Sequence, residues 1–129
     1  MGDRGVLIIG PSGSGKSALA LQLIALGADL VADDRTRVVR EGDNVIAQAP
    51  ETISGLIEAR GVGILRLPSA GPTPLALVVD MSHTEEERLP PQRTAFVHGR
   101  ELPCLHRVEG PQFAPAILLY LRCSINSAP

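Results

Sequence analysis

One short segment of the sequence has the residue types and spacing needed to hold a chain of phosphates. Residues 10–17 are Gly-Pro-Ser-Gly-Ser-Gly-Lys-Ser, which satisfies the pattern G-x-x-x-x-G-K-S of a phosphate-binding loop (P-loop). In such a loop the glycines let successive backbone N–H groups turn toward phosphate oxygens, and the lysine reaches the β- and γ-phosphates of a nucleotide. The predicted nucleotide-binding residues are therefore Gly10, Pro11, Ser12, Gly13, Ser14, Gly15, Lys16 and Ser17, with the Ser17 hydroxyl as a ligand of Mg²⁺.

The flanking residues supply the elements that this loop requires. Residues 5–9 form an apolar run that predicts a buried strand, and residues 16–26 have a helical pattern that ends before Gly27. A glycine- and serine-rich turn could match the motif by chance, but the strand before it and the helix after it favour a working P-loop. Lys16 is also the only lysine of the chain; the other eleven basic residues are arginines.

A P-loop enzyme also needs an acidic partner for the metal and a group that handles the proton of the nucleophile. Asp33 and Asp34 follow a short apolar strand at residues 30–32, and adjacent side chains of an extended chain point in opposite directions. One carboxylate could then face Mg²⁺ and the other the attacking hydroxyl. The alternative is a solvated Asp-Asp turn before Arg35.

Two further charged segments are candidates for the site. Glu58 and Arg60 precede Gly61 and Gly63, which would suit a tight backbone passing a phosphate; the alternative is the end of a surface helix. Residues 85–90 contain three glutamates followed by Arg88, which could offset charge on a transferring phosphate or simply belong to a solvated loop.

Composition limits the class of protein. The chain has 129 residues, which predicts one domain spanning residues 1–129, and its 2% aromatic content requires an aliphatic core. A net charge of −2 and the scarcity of aromatic residues argue against nucleic-acid binding. No apolar run approaches a membrane span, and the charged start predicts no signal peptide. We expect a cytoplasmic protein in which Cys104 and Cys123 are reduced core thiols and the scattered histidines hold no metal.

The order of the predicted elements indicates a mixed, largely antiparallel sheet with few helices. After the first strand and helix, strands are predicted in series, with a hairpin formed by residues 37–40 and 44–48. A short helix is expected at 50–56, and strands at 61–67, 74–80, 93–97 and 102–107. Residues 81–92 are expected to be irregular, and a closing helix should span 114–122. A doubly wound P-loop fold would require more helices between its strands.

Taken together, the P-loop, the segment Val-Ala-Asp-Asp at 31–34 and the segment Ile-Glu-Ala-Arg-Gly-Val-Gly-Ile at 57–64 resemble the catalytic domain of HPr kinase/phosphorylase. The resemblance covers most of the chain, which is similar to the compact proteobacterial form of the family. It implies a PEP carboxykinase-like P-loop kinase fold, ATP and Mg²⁺ as cofactors, and a serine of the phosphocarrier protein HPr as the acceptor.

The resemblance also implies roles for individual residues. Ser17 and Glu58 would be magnesium ligands, with Asp33 as a further acidic group, and Asp34 would be the catalytic base. In the reverse direction Asp34 would act as the acid while inorganic phosphate attacks phosphoserine and pyrophosphate is released. Arg88 aligns with the family's catalytic arginine, and residues 57–66, which contain Arg60, would be needed in both directions.

The sequence departs from the family pattern at three places. The family has a histidine upstream of the P-loop lysine, whereas none of the residues before Lys16 is a histidine; if that histidine tunes the aspartate, activity would be weaker here. The arginine- and glycine-rich loop used for dephosphorylation corresponds to residues 105–112, which contain one arginine and an added glutamate. The family's last helices, which contact HPr and neighbouring subunits, are largely missing, so the sequence leaves homo-oligomer formation open.

The main alternative is a nucleotide-binding regulatory domain of the same fold with little catalytic activity, and turnover of ATP in the presence of HPr separates the two. A P-loop kinase of small molecules is disfavoured, because such enzymes need an arginine-rich lid and more helices.

Overall fold

The computed structural model describes residues 4–31, 36–49, 55–68 and 70–123. Its elements, in chain order, are β1 (Gly5–Ile9), α1 (Lys16–Ala25), β2 (Arg37–Glu41), β3 (Asn44–Gln48), β4 (Leu56–Ala59), β5 (Gly63–Arg66), β6 (Thr73–Thr84), β7 (Arg93–Val97), β8 (Arg100–Arg107) and α2 (Phe113–Cys123). The Asp33–Asp34 pair and most of the helix predicted at 50–56 lie outside the described residues.

A six-stranded mixed sheet contains the P-loop strand. Its path is β2-β3-β6-β8-β7, and β1 pairs with β6. Strands β1 and β8 run parallel to β6, whereas the pairs β2–β3, β3–β6 and β7–β8 are antiparallel. A separate antiparallel pair joins β4 to β5. The prediction of a largely antiparallel mixed sheet with few helices is therefore confirmed.

Strand β6 lies at the centre of this sheet and is apolar on both of its faces. Leu77, Val78 and Val79 are completely buried, as expected of a strand covered on both sides. Leu77 and Val79 pack in one cluster with the two helices, and Val78 packs in a second cluster with residues of β3 and β8. The strand that neighbours β1 is therefore packed on one face against the helices and on the other against side chains of β3 and β8.

The two helices cover one face of the sheet, because their apolar residues recur at helical spacing. In α1 the buried residues are Leu19 and Leu23, one turn apart. In α2 the buried apolar side chains are Phe113, Ala114, Ile117, Leu118 and Leu121. These helix side chains share one cluster with Leu77 and Val79 of β6, and Val6 and Ile8 of β1 pack against that cluster. Helix α1 therefore packs beside the strand that precedes the P-loop. Neither helix is long and apolar enough to span a membrane.

Most predicted elements are found, with three corrections. Residues 81–84, expected to be irregular, extend β6, because Thr84 still pairs with Arg107 after a bulge. The strand predicted at 30–32 is reduced to an isolated bridge at Leu30 within the described residues, and Leu56, assigned to a helix, begins β4. The hairpin at 37–48, the strand at 93–97 and the closing helix are confirmed, and the strand predicted at 102–107 is found as part of β8, which begins at Arg100.

Candidate functional site

The P-loop connects the end of β1 to the start of α1, as the motif requires. Gly10 follows β1 with a φ of +145°, and Gly15 caps the helix with a φ of +93°. A side chain is disfavoured at both backbone conformations. The loop is closed by a hydrogen bond of 3.1 Å from the Ser14 N–H to the Pro11 carbonyl, and Leu19 N–H donates to the Gly15 carbonyl at 3.0 Å as the helix begins.

Several donors of this loop have no acceptor among the described residues. The backbone N–H groups of Gly13, Gly15 and Lys16 donate no hydrogen bond there. The first turn of α1 has no acidic residue and no side-chain cap. Unpaired N–H groups and the positive end of a helix together attract an anion. The Lys16 ammonium, which forms no ion pair with any described residue, adds a full positive charge at the same point.

The Ser14 hydroxyl gives an independent indication of the ligand. Its oxygen is buried and has no hydrogen-bond partner in the described structure, which is costly unless a ligand supplies one. A Cβ at Gly10 would lie 2.8 Å from this oxygen and 3.1 Å from Cβ of Met81. The backbone, the hydroxyl and Met81 therefore leave no room for a side chain at Gly10, and the donor set fits a phosphate.

Asp80 is a site residue that the sequence reasoning missed. In the parallel pairing of β1 with β6, Asp80 lies opposite Ile9, one residue before the P-loop. P-loop NTPases hold Mg²⁺ with the hydroxyl of the loop and one aspartate from outside it, and Asp80 lies within β6, the strand next to the P-loop strand. The sequence signal for this position is the apolar run at residues 75–79, which Asp80 follows directly.

The surroundings of Asp80 keep it ionised. Burial opposes ionisation, but Ser82 donates two hydrogen bonds to Oδ1, from its backbone N–H at 2.9 Å and from its hydroxyl at 2.5 Å. His83 lies 3.9 Å from Oδ2, and His106 stacks near His83 with ring centroids 5.2 Å apart. These neighbours outweigh burial, and the pKa of Asp80 lies below its ordinary value.

A cavity of about 420 Å³ opens beside the P-loop. Gly10, Lys16 and Ser17 line one side of it. Val31 and Thr36, the last and first described residues around Asp33 and Asp34, also line it. The described residues on either side of the Asp-Asp segment therefore line the same cavity as Lys16.

Glu58 and Arg60 lie on the β4–β5 hairpin and not at a helix end. Glu58 is exposed between the buried residues Ile57 and Ala59 of β4, and Arg60 begins the turn that Gly61 completes at a φ of +84°. Strand β4 contacts α1, the helix that begins with Lys16 and Ser17. Neither residue lines the cavity of about 420 Å³.

Arg88 lies in the loop between β6 and β7, here called the 85–92 loop. It is exposed and makes no ion pair or hydrogen bond with any described residue. The alternative of a merely solvated loop does not describe its neighbour Glu85, whose side chain is only 6% exposed and pairs with Arg93. This pair is a second feature that sequence reasoning missed.

Residues 107–110 approach the other side of the P-loop. A cavity of about 260 Å³ is lined by Ser14 and Gly15 of the loop and by Arg107, Glu109 and Gly110. Nη2 of Arg107 lies 3.3 Å from Oε1 of Glu109, so the single arginine of this segment is paired with the added glutamate. Cys104 in β8 is a free buried thiol whose pKa is raised by burial, as predicted for a core cysteine.

Comparison with known families decides what kind of P-loop this is. The family described as HPr Serine kinase C-terminal domain matches residues 1–71, which contain the P-loop, the Asp-Asp segment and the β4–β5 hairpin. The chain belongs to this family. The resemblance inferred from the sequence is thereby confirmed.

Individual relatives in the HPr kinase family agree with this assignment. The chain is 52% identical over 64 residues to the HPr kinase/phosphorylase of Bacillus licheniformis, an overlap of 49% of this chain and 21% of that protein. It is 50% identical over 62 residues to the HPr kinase/phosphorylase of Lactobacillus johnsonii, covering 47% of this chain and 19% of that protein. The chain therefore matches about a fifth of the length of these relatives.

A solved structure extends the likeness beyond the P-loop half. The Hpr(Ser) kinase/phosphatase from Coxiella burnetii superimposes with a TM-score of 0.78 at 25% sequence identity. The superposition covers 95% of this chain and 91% of that chain. The sheet and both helices therefore share the fold of a family kinase.

Proposed function

We propose that this chain is an ATP- and Mg²⁺-dependent kinase that phosphorylates a serine of the phosphocarrier protein HPr. The observation that carries the proposal is the open phosphate cradle of the P-loop in a member of the HPr serine kinase family. Its unpaired N–H groups, the buried Ser14 hydroxyl and Lys16 would hold the phosphates of ATP. The proposal places the protein in the cytoplasm, where ATP is available.

Ser17 and a carboxylate would hold the metal. Glu58 is supported by the contact between β4 and α1, and Asp80 by its pairing opposite Ile9. Asp33 is supported by the position of Val31 and Thr36 at the cavity wall. Bound Mg²⁺ would supply charge neutralisation at the β- and γ-phosphates.

Asp34 would take the proton of the attacking serine hydroxyl. The support is again that Val31 and Thr36 line the cavity together with Lys16 and Ser17. Positioning and charge stabilisation dominate phosphoryl transfer, so the base must lie within hydrogen-bond reach of the hydroxyl. Arg60 and Arg88 would offset negative charge on the transferring phosphate.

The reverse reaction would use the same groups. An oxygen of inorganic phosphate would attack the phosphorus of phosphoserine, pyrophosphate would form, and Asp34 would return the proton to the departing serine oxygen. Arg107 is the one arginine at 105–112 and is already paired with Glu109, so we expect this direction to be slower than the kinase direction.

The test is transfer of label from γ-labelled ATP to HPr in the presence of Mg²⁺, followed by identification of the labelled residue. Label should appear on a serine, and Asp34→Asn should abolish transfer while nucleotide binding persists. Lys16→Ala is the control that should weaken binding itself. Full-rate transfer by Asp34→Asn would refute its role as the base.

The same assay separates the kinase from a nucleotide-binding regulatory domain. The pairing of Arg107 with Glu109 is a reason to expect low activity in the reverse direction, but it gives no reason to expect low kinase activity. ATP binding by the unmodified chain without label on HPr would make the regulatory domain the better description.

A further inference from the structure

The base of the 85–92 loop is fixed by one buried carboxylate. Oε1 of Glu85 accepts a hydrogen bond from Nε of Arg93, and Oε2 accepts one from Nη2, both at 2.9 Å. Oε2 also accepts the backbone N–H groups of Glu86 and Glu87, each at 3.2 Å. One side chain therefore joins the first residues of the loop to the strand that follows it.

The backbone of Glu85 adds a third attachment. Its N–H donates to the carbonyl of Arg107 at 2.8 Å. Arg93 is the first residue of β7 and pairs with Cys104 of β8. The 85–92 loop is thus tied at both ends to strands β7 and β8, and β8 runs parallel to β6.

The region between these attachments contains Arg88, which is exposed and has no partner among the described residues. A flexible arginine contributes little to a transition state unless its backbone is held in place. The loop leaves β6 four residues after Asp80, the residue that pairs beside the P-loop. A fixed loop base would limit the space that the Arg88 guanidinium can sample.

We propose that Glu85 and Arg93 are positioning residues that hold the 85–92 loop so that Arg88 serves phosphoryl transfer. The inference rests on the proposed kinase function. A bidentate arginine–carboxylate pair suits this role, because its two parallel bonds define an orientation as well as a distance. Arg93→Lys would keep the charge and lose the fork, and Glu85→Gln would replace one of the two acceptor oxygens with a donor.

The first experiment is a kinetic cycle with HPr as the acceptor. Glu85→Gln and Arg93→Lys should each lower kcat by about a hundredfold with little change in the KM for ATP. In an Arg88→Ala background the same substitutions should cause no further loss, because their effect passes through Arg88. Equal losses in both backgrounds would show that the pair merely stabilises the fold and would overturn the proposal.

Glu101→Gln is the matched control. Glu101 accepts a hydrogen bond from Thr94 at 3.0 Å on the neighbouring β7–β8 hairpin, but the pair is exposed. The substitution Glu101→Gln removes a glutamate charge near the same strands and changes no residue of the 85–92 loop. The kcat of this variant should therefore stay at the wild-type value.

The second experiment does not depend on activity. Trypsin cleaves after arginine, and the Arg88–Leu89 bond lies within the 85–92 loop. Glu85→Gln should speed cleavage at this bond, while Glu101→Gln should leave the rate unchanged. If the wild-type chain labels HPr but Glu85→Gln is cleaved no faster than the wild type, the positioning role alone is overturned. If the wild-type chain never labels HPr, the proposed function itself is refuted.

Discussion

Replacing Ser14 with alanine should change stability and ligand affinity in opposite directions. The Ser14 oxygen is buried and has no partner among the described residues. An unsatisfied buried hydroxyl costs about 1–3 kcal/mol, and the lower end applies because the residue as a whole is partly exposed. Ser14 does not have a positive φ, so alanine fits the same backbone. The ligand-free variant should therefore be more stable by about 1 kcal/mol, a rise in Tm of about 4 °C.

Affinity for a phosphate ligand should fall in the same variant. A hydrogen bond to a charged group contributes about 1.5–3 kcal/mol, so the Kd for ATP with Mg²⁺ should rise by roughly tenfold to a hundredfold. Titration calorimetry gives the Kd, and thermal unfolding with and without nucleotide gives the stability.

Ser12→Ala is the matched control, because Ser12 lies in the same loop and is exposed. It should change neither quantity by more than a small amount. A Ser14→Ala protein that is less stable and binds ATP as well as the wild type would refute the argument, since the hydroxyl would then serve the fold and not the ligand.

Three further predictions concern the loop, the core and pH. Gly10→Ala should abolish nucleotide binding measured by calorimetry, because the new Cβ would lie 2.8 Å from the Ser14 hydroxyl at a φ of +145°. Leu77→Ala should lower the free energy of unfolding in urea by about 2–5 kcal/mol, because Leu77 is fully buried in the central strand; a loss below 1 kcal/mol would contradict the packing described. The hydrogen bond with Arg93 lowers the pKa of Glu85 from 4.5 to about 2. The stabilisation that Glu85 provides is therefore complete above about pH 5 and is lost as the pH falls toward 2, so the Tm difference between wild type and Glu85→Gln should shrink over that range and stay constant from pH 6 to 8.

The P-loop could be predicted from sequence because its chemistry is local. Its glycines, Lys16 and Ser17 are consecutive, and the strand and helix on either side have their own periodicity. The hairpin of β2 and β3 was predictable for the same reason, since a short turn sets its register.

Asp80 and the Glu85–Arg93 pair could not be recognised in the same way. The importance of Asp80 comes from pairing with Ile9, which is distant in sequence. The length of β6 was underestimated because its polar end, residues 81–84, pairs with β8 after a bulge that no local pattern indicates. The sequence assigns Leu56, the first residue of β4, to a helix, because a strand of four residues is too short to establish a period.

The pairing of β1 with β6 also bears on how the chain is made. Gly5 pairs with Leu75, so the ribosome must add 70 residues before the P-loop strand meets its neighbour. At typical rates of synthesis this takes roughly 4 to 14 s. During that interval the glycine-rich segment has been synthesised, but Met81, which lies next to Gly10 in the folded protein, has not. A nascent chain released before β6 would therefore contain the motif without the strand that pairs beside it.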